Sequence, residues 1–125
     1  MNDTVKEWTA KANADFHTAE RELRVTHEPN YDAVCFHAQQ CIEKLLKALL
    51  IHLGQIPLKT HDLAVLSRDL ESVCDQWSWS VKDMRFLTRA AVEFRYPGES
   101  SDLKEAEEAF RICKNIREKL LPLFT

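Results

Sequence analysis

A chain of 125 residues, 45% hydrophobic and 30% charged, has a globular composition and the length of one domain, expected to span residues 1–125; a disordered polar chain is excluded. Seventeen Lys and Arg against twenty Asp and Glu leave a net charge of -3, which argues against a surface devoted to non-specific duplex binding, so DNA is not an expected partner. With only two glycines and four prolines, the chain also lacks the turn residues that a fold of many short strands needs, and helices are expected.

The first helix is expected over Asp3 to Arg24, where Trp8, Ala12, Phe16, Ala19 and Leu23 recur at steps of three and four and paint one apolar stripe. His27, Glu28, Pro29 and Asn30 break it, because proline denies its predecessor a helical conformation and Asn30 can cap the next helix. The second helix runs from about Tyr31 to Leu53 on Val34, Ala38, Cys41, Ile42, Leu45, Leu46, Leu49 and Leu53, with Gly54 as its C-terminal cap. An apolar face that broad implies two neighbours: a helix of the same chain together with a partner subunit, or a central place in one core.

Gln55 to Lys59, with Pro57, is a connector, and Thr60 opens a shorter helical segment with Leu63, Leu66, Leu70 and Val73 as its buried row. Trp77 and Trp79 fall in the next link, where tryptophans pack over a bundle end. Ser80 and Asp83 have capping-box-like spacing for a third long helix through Met84, Leu87, Ala91 and Phe94. Arg95 to Glu99 is the sharpest break. Asp102 and Glu105 open the last helix on Leu103, Ala106, Phe110, Cys113, Ile116 and Leu120, stopped by Pro122. The expected fold is all-α: an up-and-down antiparallel four-helix bundle with a short additional helix in the middle connection.

The polar N-terminus has no basic region leading into an apolar run, so no signal peptide is expected. The longest apolar stretch, Leu45 to Leu53, is interrupted by Lys47 and His52 and falls short of a membrane span. A cytoplasmic protein without a membrane partner is the expectation. Cysteines 35, 41, 74 and 113 lack CxxC spacing and read as buried, reduced thiols. No metal-ligand spacing or glycine-rich phosphate loop occurs, so neither metal nor cofactor is expected.

On the second helix, His37, Gln40, Glu43, Lys44 and Lys47 lie three or four apart and share a polar strip beside the apolar face. Such a strip can line a cleft. Its members can equally tie the helix to the Arg95-Tyr96-Pro97 turn, since buried polar groups must find partners. His61 and Asp62 read as a capped helix start, the aspartate favouring the positive end of the helix and the histidine bonding a neighbouring loop.

The run from Phe36 to Leu50, with Gln39, Gln40, Glu43, Lys44 and Lys47, resembles the HEPN family's paired glutamine followed by Glu-Lys and a second lysine. His61-Asp62-Leu63 is similar to that family's His-Asp-Leu, and Arg95-Tyr96-Pro97 to its Arg-Tyr-Pro turn. The resemblance implies a bundle that usually pairs with itself, hence a homodimer, found in prokaryotes beside a small nucleotidyltransferase in toxin and antitoxin-like pairs. It also brings in ribonucleases, in which an arginine, then four to six residues, then a histidine form a motif that acts across the dimer.

A metal-independent ribonuclease needs a base for the ribose 2'-hydroxyl and a cation at the phosphate. No histidine follows Arg85, Arg89 or Arg95 at the family's distance; the spacing occurs once, from Arg21 to His27, at the tail of the first helix. The catalytic residues are therefore unknown. Arg89, Arg95 and Tyr96 can still grip a nucleotide or an RNA backbone, and Tyr96 is the nearest analogue of a tyrosine that the partner nucleotidyltransferase modifies in some of the family's pairs. The expected function is a non-catalytic RNA- or nucleotide-binding partner of a minimal nucleotidyltransferase. The alternatives are a divergent metal-independent ribonuclease and a plain dimerisation module.

Overall fold

The computed structural model describes residues 1–93 and 96–125; Phe94 and Arg95 lie outside the described residues. In chain order it holds α1 (Asp3–Arg24), α2 (Tyr31–His52), the short α3 (Leu63–Glu71), α4 (Val81–Glu93), α5 (Leu103–Leu120) and a closing 3₁₀ turn (Leu121–Phe124). The all-α, up-and-down reading of the sequence holds, with α3 as the extra helix in the middle connection.

Short polar residues set the helix starts. Asn2, Asn30, Asp62 and Asp102 each precede a helix, and their side-chain oxygens accept the amides of Val5 at 2.8 Å, Ala33 at 3.0 Å, Ala64 at 2.9 Å and Glu105 at 2.8 Å. Ser80 likewise accepts from the Asp83 amide at 3.3 Å. Only half of the expected capping box forms, because the Asp83 carboxylate bonds the Trp79 indole at 3.0 Å. At the end of α2, Gly54 takes φ +83° and donates to the Ile51 carbonyl, while the Gln55 amide reaches Leu50, the paired bonds of a Schellman cap.

The broad apolar face of α2 is satisfied inside the chain. Twelve of its twenty-two residues are buried, and α2 packs against every other helix, so the central position accounts for that face. α1 runs antiparallel to it, with Asp15 opposite His37 and Lys44. α5 runs parallel to α2: Ser101 bonds Asp32 near one end, at 2.7 Å, and Phe124 lies against His52 at the other, 5.8 Å between rings. Among the described residues α1 and α4 do not meet, which leaves α2 and α5 as the close diagonal of the bundle. One apolar cluster draws on all five helices.

Several boundary expectations are corrected. Thr60 does not open α3; it accepts the Asp62 amide at 3.1 Å, and the helix begins at Leu63. That helix ends at Glu71, which leaves Val73, expected in the buried row, 41% exposed. Leu103 is 46% exposed because it sits in the first turn of α5, ahead of the buried run that starts at Ala106. Trp77 is a core residue: it is 2% exposed, donates to the Ser67 hydroxyl at 3.1 Å and stacks on Trp79. Cys35, Cys41 and Cys113 are buried free thiols and Cys74 is half-buried; burial pushes Cys35 up to about 11, which keeps it an unreactive thiol. Among the described residues, no helix is long and apolar enough to cross a membrane.

Candidate functional site

The polar strip of α2 divides into two edges, because at 100° per residue positions 37 and 44 fall on one flank and 39, 43 and 47 on the other. On the first flank, His37 and Lys44 both reach across to Asp15 of α1, His37 Nδ1 lying 2.7 Å from Oδ1 and the Lys44 ammonium donating to Oδ2. Asp15 is only 8% exposed. A carboxylate taken out of water requires such charged and polar partners.

The second flank is built on Glu43, 4% exposed. Its Oε1 accepts from Gln39 Nε2 at 3.0 Å and lies 2.9 Å from His61 Nδ1, while Oε2 accepts the Lys47 ammonium at 3.2 Å. Gln39 also donates to the His61 carbonyl at 3.2 Å and accepts from Gln40 at 2.9 Å. Burial by itself pushes the Glu43 carboxyl up; the hydrogen bonds from Gln39, His61 and Lys47, with the Lys47 charge, outweigh it and hold the group below the usual carboxylate range. Glu43 is thus an anchored anion that locks the α2–α3 connection to α2.

The expected tie to the Arg-Tyr-Pro turn involves Arg95, which lies outside the described residues; among the described residues the strip has other partners. Glu43 is engaged by His61 from the segment before α3, Lys44 by Asp15 and Gln40 by Gln39, while Tyr96 is 64% exposed. His61 bonds α2 rather than a neighbouring loop, and Asp62 is the cap of α3. Pro97 lies in the exposed turn beyond Tyr96, where Gly98 takes φ +89°. Arg89 is exposed and lies 3.8 Å from Glu93; Arg95 falls outside the described residues. Arg21 is occupied with Thr18 on the surface of α1, and His27 lies past the end of that helix.

Between α2, α4 and the segment before α3 lies a cleft of about 250 Å³, lined by Phe36, Gln39, Gln40, His61, Thr88 and Ala91 among others. It brings together Gln39, Gln40 and His61 of the sequence-derived candidates; His37, Lys44 and Lys47 are not on its wall. Sequence reasoning misses Asp15 as the partner of His37 and Lys44. Its signal is present, since position 15 falls in the row 8, 12, 15, 19, where a carboxylate interrupts the apolar stripe of α1. Among the described residues, no group of three His, Cys, Asp or Glu is placed to hold a metal ion.

The linkage of Glu43 to folding has a measurable consequence. Its folded-state value is lowered, so its stabilising contribution is complete above the unfolded value of 4.5 and is lost as pH falls through the folded one. Thermal unfolding of the native chain and of Glu43→Gln, followed from pH 7 to pH 3, is expected to give a constant gap above about pH 5 that closes in acid. A gap that widens on acidification contradicts the arrangement.

A HEPN domain family model matches residues 5–122. The fold is similar to the crystal structure of TT1696 from Thermus thermophilus, with a TM-score of 0.82 and 24% identity over 98% of this chain and 99% of that one. At that identity the likeness speaks for the fold. No curated protein matches the chain.

Proposed function

The chain belongs to the HEPN domain family, and from that premise we propose that it is a non-catalytic HEPN protein: one domain over residues 1–125 that forms a homodimer and holds a nucleotide or RNA segment for a minimal nucleotidyltransferase. The observation that carries this reading is the cleft between α2 and α4. Its apolar wall of Phe36 and Ala91 suits a flat base, and the Gln40 amide and the exposed His61 imidazole offer hydrogen bonds at its edge; Arg89, next in sequence to the lining residue Thr88 but not itself on the wall, is the cation proposed for phosphate. In sequence, Arg95, Tyr96 and Pro97 come two to four residues after the end of α4, and they are proposed to serve the same ligand. The buried anion is not a poised base, because Glu43 is held ionised by three partners.

Self-association draws on a different surface from the apolar face of α2, which the chain itself covers. Val92, Tyr96 and Leu103, 46%, 64% and 46% exposed, lie at the α4–α5 turn next to the cleft, which Val92 also lines, and offer apolar area to a second copy. Light scattering at micromolar concentration is expected to give the mass of two chains; the mass of one counts against the dimer. The binding role is tested by a pull-down from the native cell combined with nucleotide titration of the labelled protein. A small nucleotidyltransferase in the eluate and shifts at Gln40, His61 and Arg89 are expected, with Arg89→Ala weakening binding about tenfold. An eluate holding neither that partner nor RNA, with those resonances unmoved, ends the proposal.

A second reading, a divergent metal-independent ribonuclease, is favoured by one contact. Asp15 fixes Nδ1 of His37, and Nε2 of that half-buried ring has no partner among the described residues, with the Lys44 ammonium on the same carboxylate. RNA cleavage by the purified protein that disappears in His37→Gln supports it; RNA left intact by the native protein removes it.

A further inference from the structure

On the opposite side of α2 from Glu43, roughly 200° around the helix at Leu45, a cavity of about 390 Å³ opens between α1, the end of α5 and the closing 3₁₀ turn. Its apolar lining is Met1, Ala10, Leu121 and Phe124, over Leu45 at its base, which is 2% exposed. Its polar lining includes Lys6, Asn13 and Arg117, and no carboxylate lines it. The volume lies in the lower part of the range of small-molecule sites, about 300–1,000 Å³.

The two cations differ in how they are held. Arg117 is fixed: its guanidinium lies 4.2 Å from the centre of the Phe16 ring and one nitrogen donates to the Asn13 amide oxygen at 2.6 Å. Both of those partners are uncharged, and among the described residues no carboxylate lies within ion-pairing distance of Arg117 or Lys6. A pre-oriented guanidinium with N–H groups to spare matches a carboxylate better than a mobile ammonium does. Lys6, on the exposed face of α1, adds a second positive charge on the same rim. The floor is held in place as well, since Phe124 packs on His52 and the 3₁₀ turn closes the bundle end.

We propose that this cavity binds a small amphipathic carboxylate, with its apolar tail on Leu45, Leu121 and Phe124 and its head between Arg117 and Lys6. The site stands apart from the α2–α4 cleft and does not depend on the nucleotide reading. An uncharged ligand of the same length forfeits the paired head group, and an anion without an apolar tail forfeits the floor.

The test titrates octanoate, and 1-octanol in parallel, into the ¹⁵N-labelled full chain, with Lys6→Glu as the variant because Lys6 is exposed and its replacement leaves the core intact. Octanoate is expected to shift the amides of Leu45, Arg117, Leu121 and Phe124 in a saturable way. Octanol and the Lys6→Glu variant are each expected to bind about tenfold more weakly. Three results overturn the proposal: no saturable shift at these amides with millimolar octanoate, octanol binding as well as octanoate, or Lys6→Glu leaving the affinity unchanged.

Discussion

Replacing Glu43 with alanine lowers the unfolding free energy by about 3 kcal/mol and the thermal midpoint by about 10 °C. The loss is not that of one ion pair. Truncation leaves the Lys47 side chain, 12% exposed, without its carboxylate, and it removes the acceptor that Gln39 and His61 share. An exposed pair such as Glu7–Lys11, with both side chains above 60% exposed, contributes at most about 1 kcal/mol, since water and salt screen it. Glu43→Gln keeps the shape and some of the hydrogen bonding, so it is expected to cost about half as much as Glu43→Ala. The variants are compared by denaturant titration with far-ultraviolet circular dichroism as the check on helix content. Equal stability of Glu43→Ala and the native protein would show that the α2–α3 connection is held by other contacts.

Trp77→Ala is expected to cost about 4 kcal/mol and about 15 °C, although Trp77 lies in the link between α3 and α4. Three effects add. A large buried ring leaves the core cluster, the Ser67 hydroxyl loses its partner at a site 4% exposed, and the Trp79 ring, stacked 5.8 Å away, loses its support. Trp77→Phe separates these contributions, because it keeps most of the apolar volume and removes the indole N–H; about 1 kcal/mol is expected for the hydrogen bond together with the imperfect fit. A loss below about 1 kcal/mol for Trp77→Ala would mean that the link floats on the bundle rather than belonging to it.

The α2 strip shows where sequence reading stops. Spacing of three and four places His37, Gln40, Glu43, Lys44 and Lys47 in one polar strip of the helix, which the structure splits into two flanks. Spacing does not say which neighbour each will meet. Asp15, 29 residues from Lys44 and 22 from His37, captures one flank, and His61, 18 residues from Glu43, captures the other. Arg95 of the Arg-Tyr-Pro turn lies outside the described residues, and both flanks find these other partners.

Local chemistry explains what was legible. Asn and Asp at the caps, Gly54 at a positive φ, and apolar stripes of helical period act within a few residues, so helix number, order and most boundaries follow from the chain read alone. The core position of α2 was legible as a broad face but not its cause. Only packing decided that four helices of the same chain cover it, that α2 and α5 form the close diagonal, and that the cavity at the bundle end joins Lys6 to Arg117 across 111 residues. Side-chain partners far apart in sequence are selected by how the rods are stacked, and one sequence's periodicity carries no information about that choice.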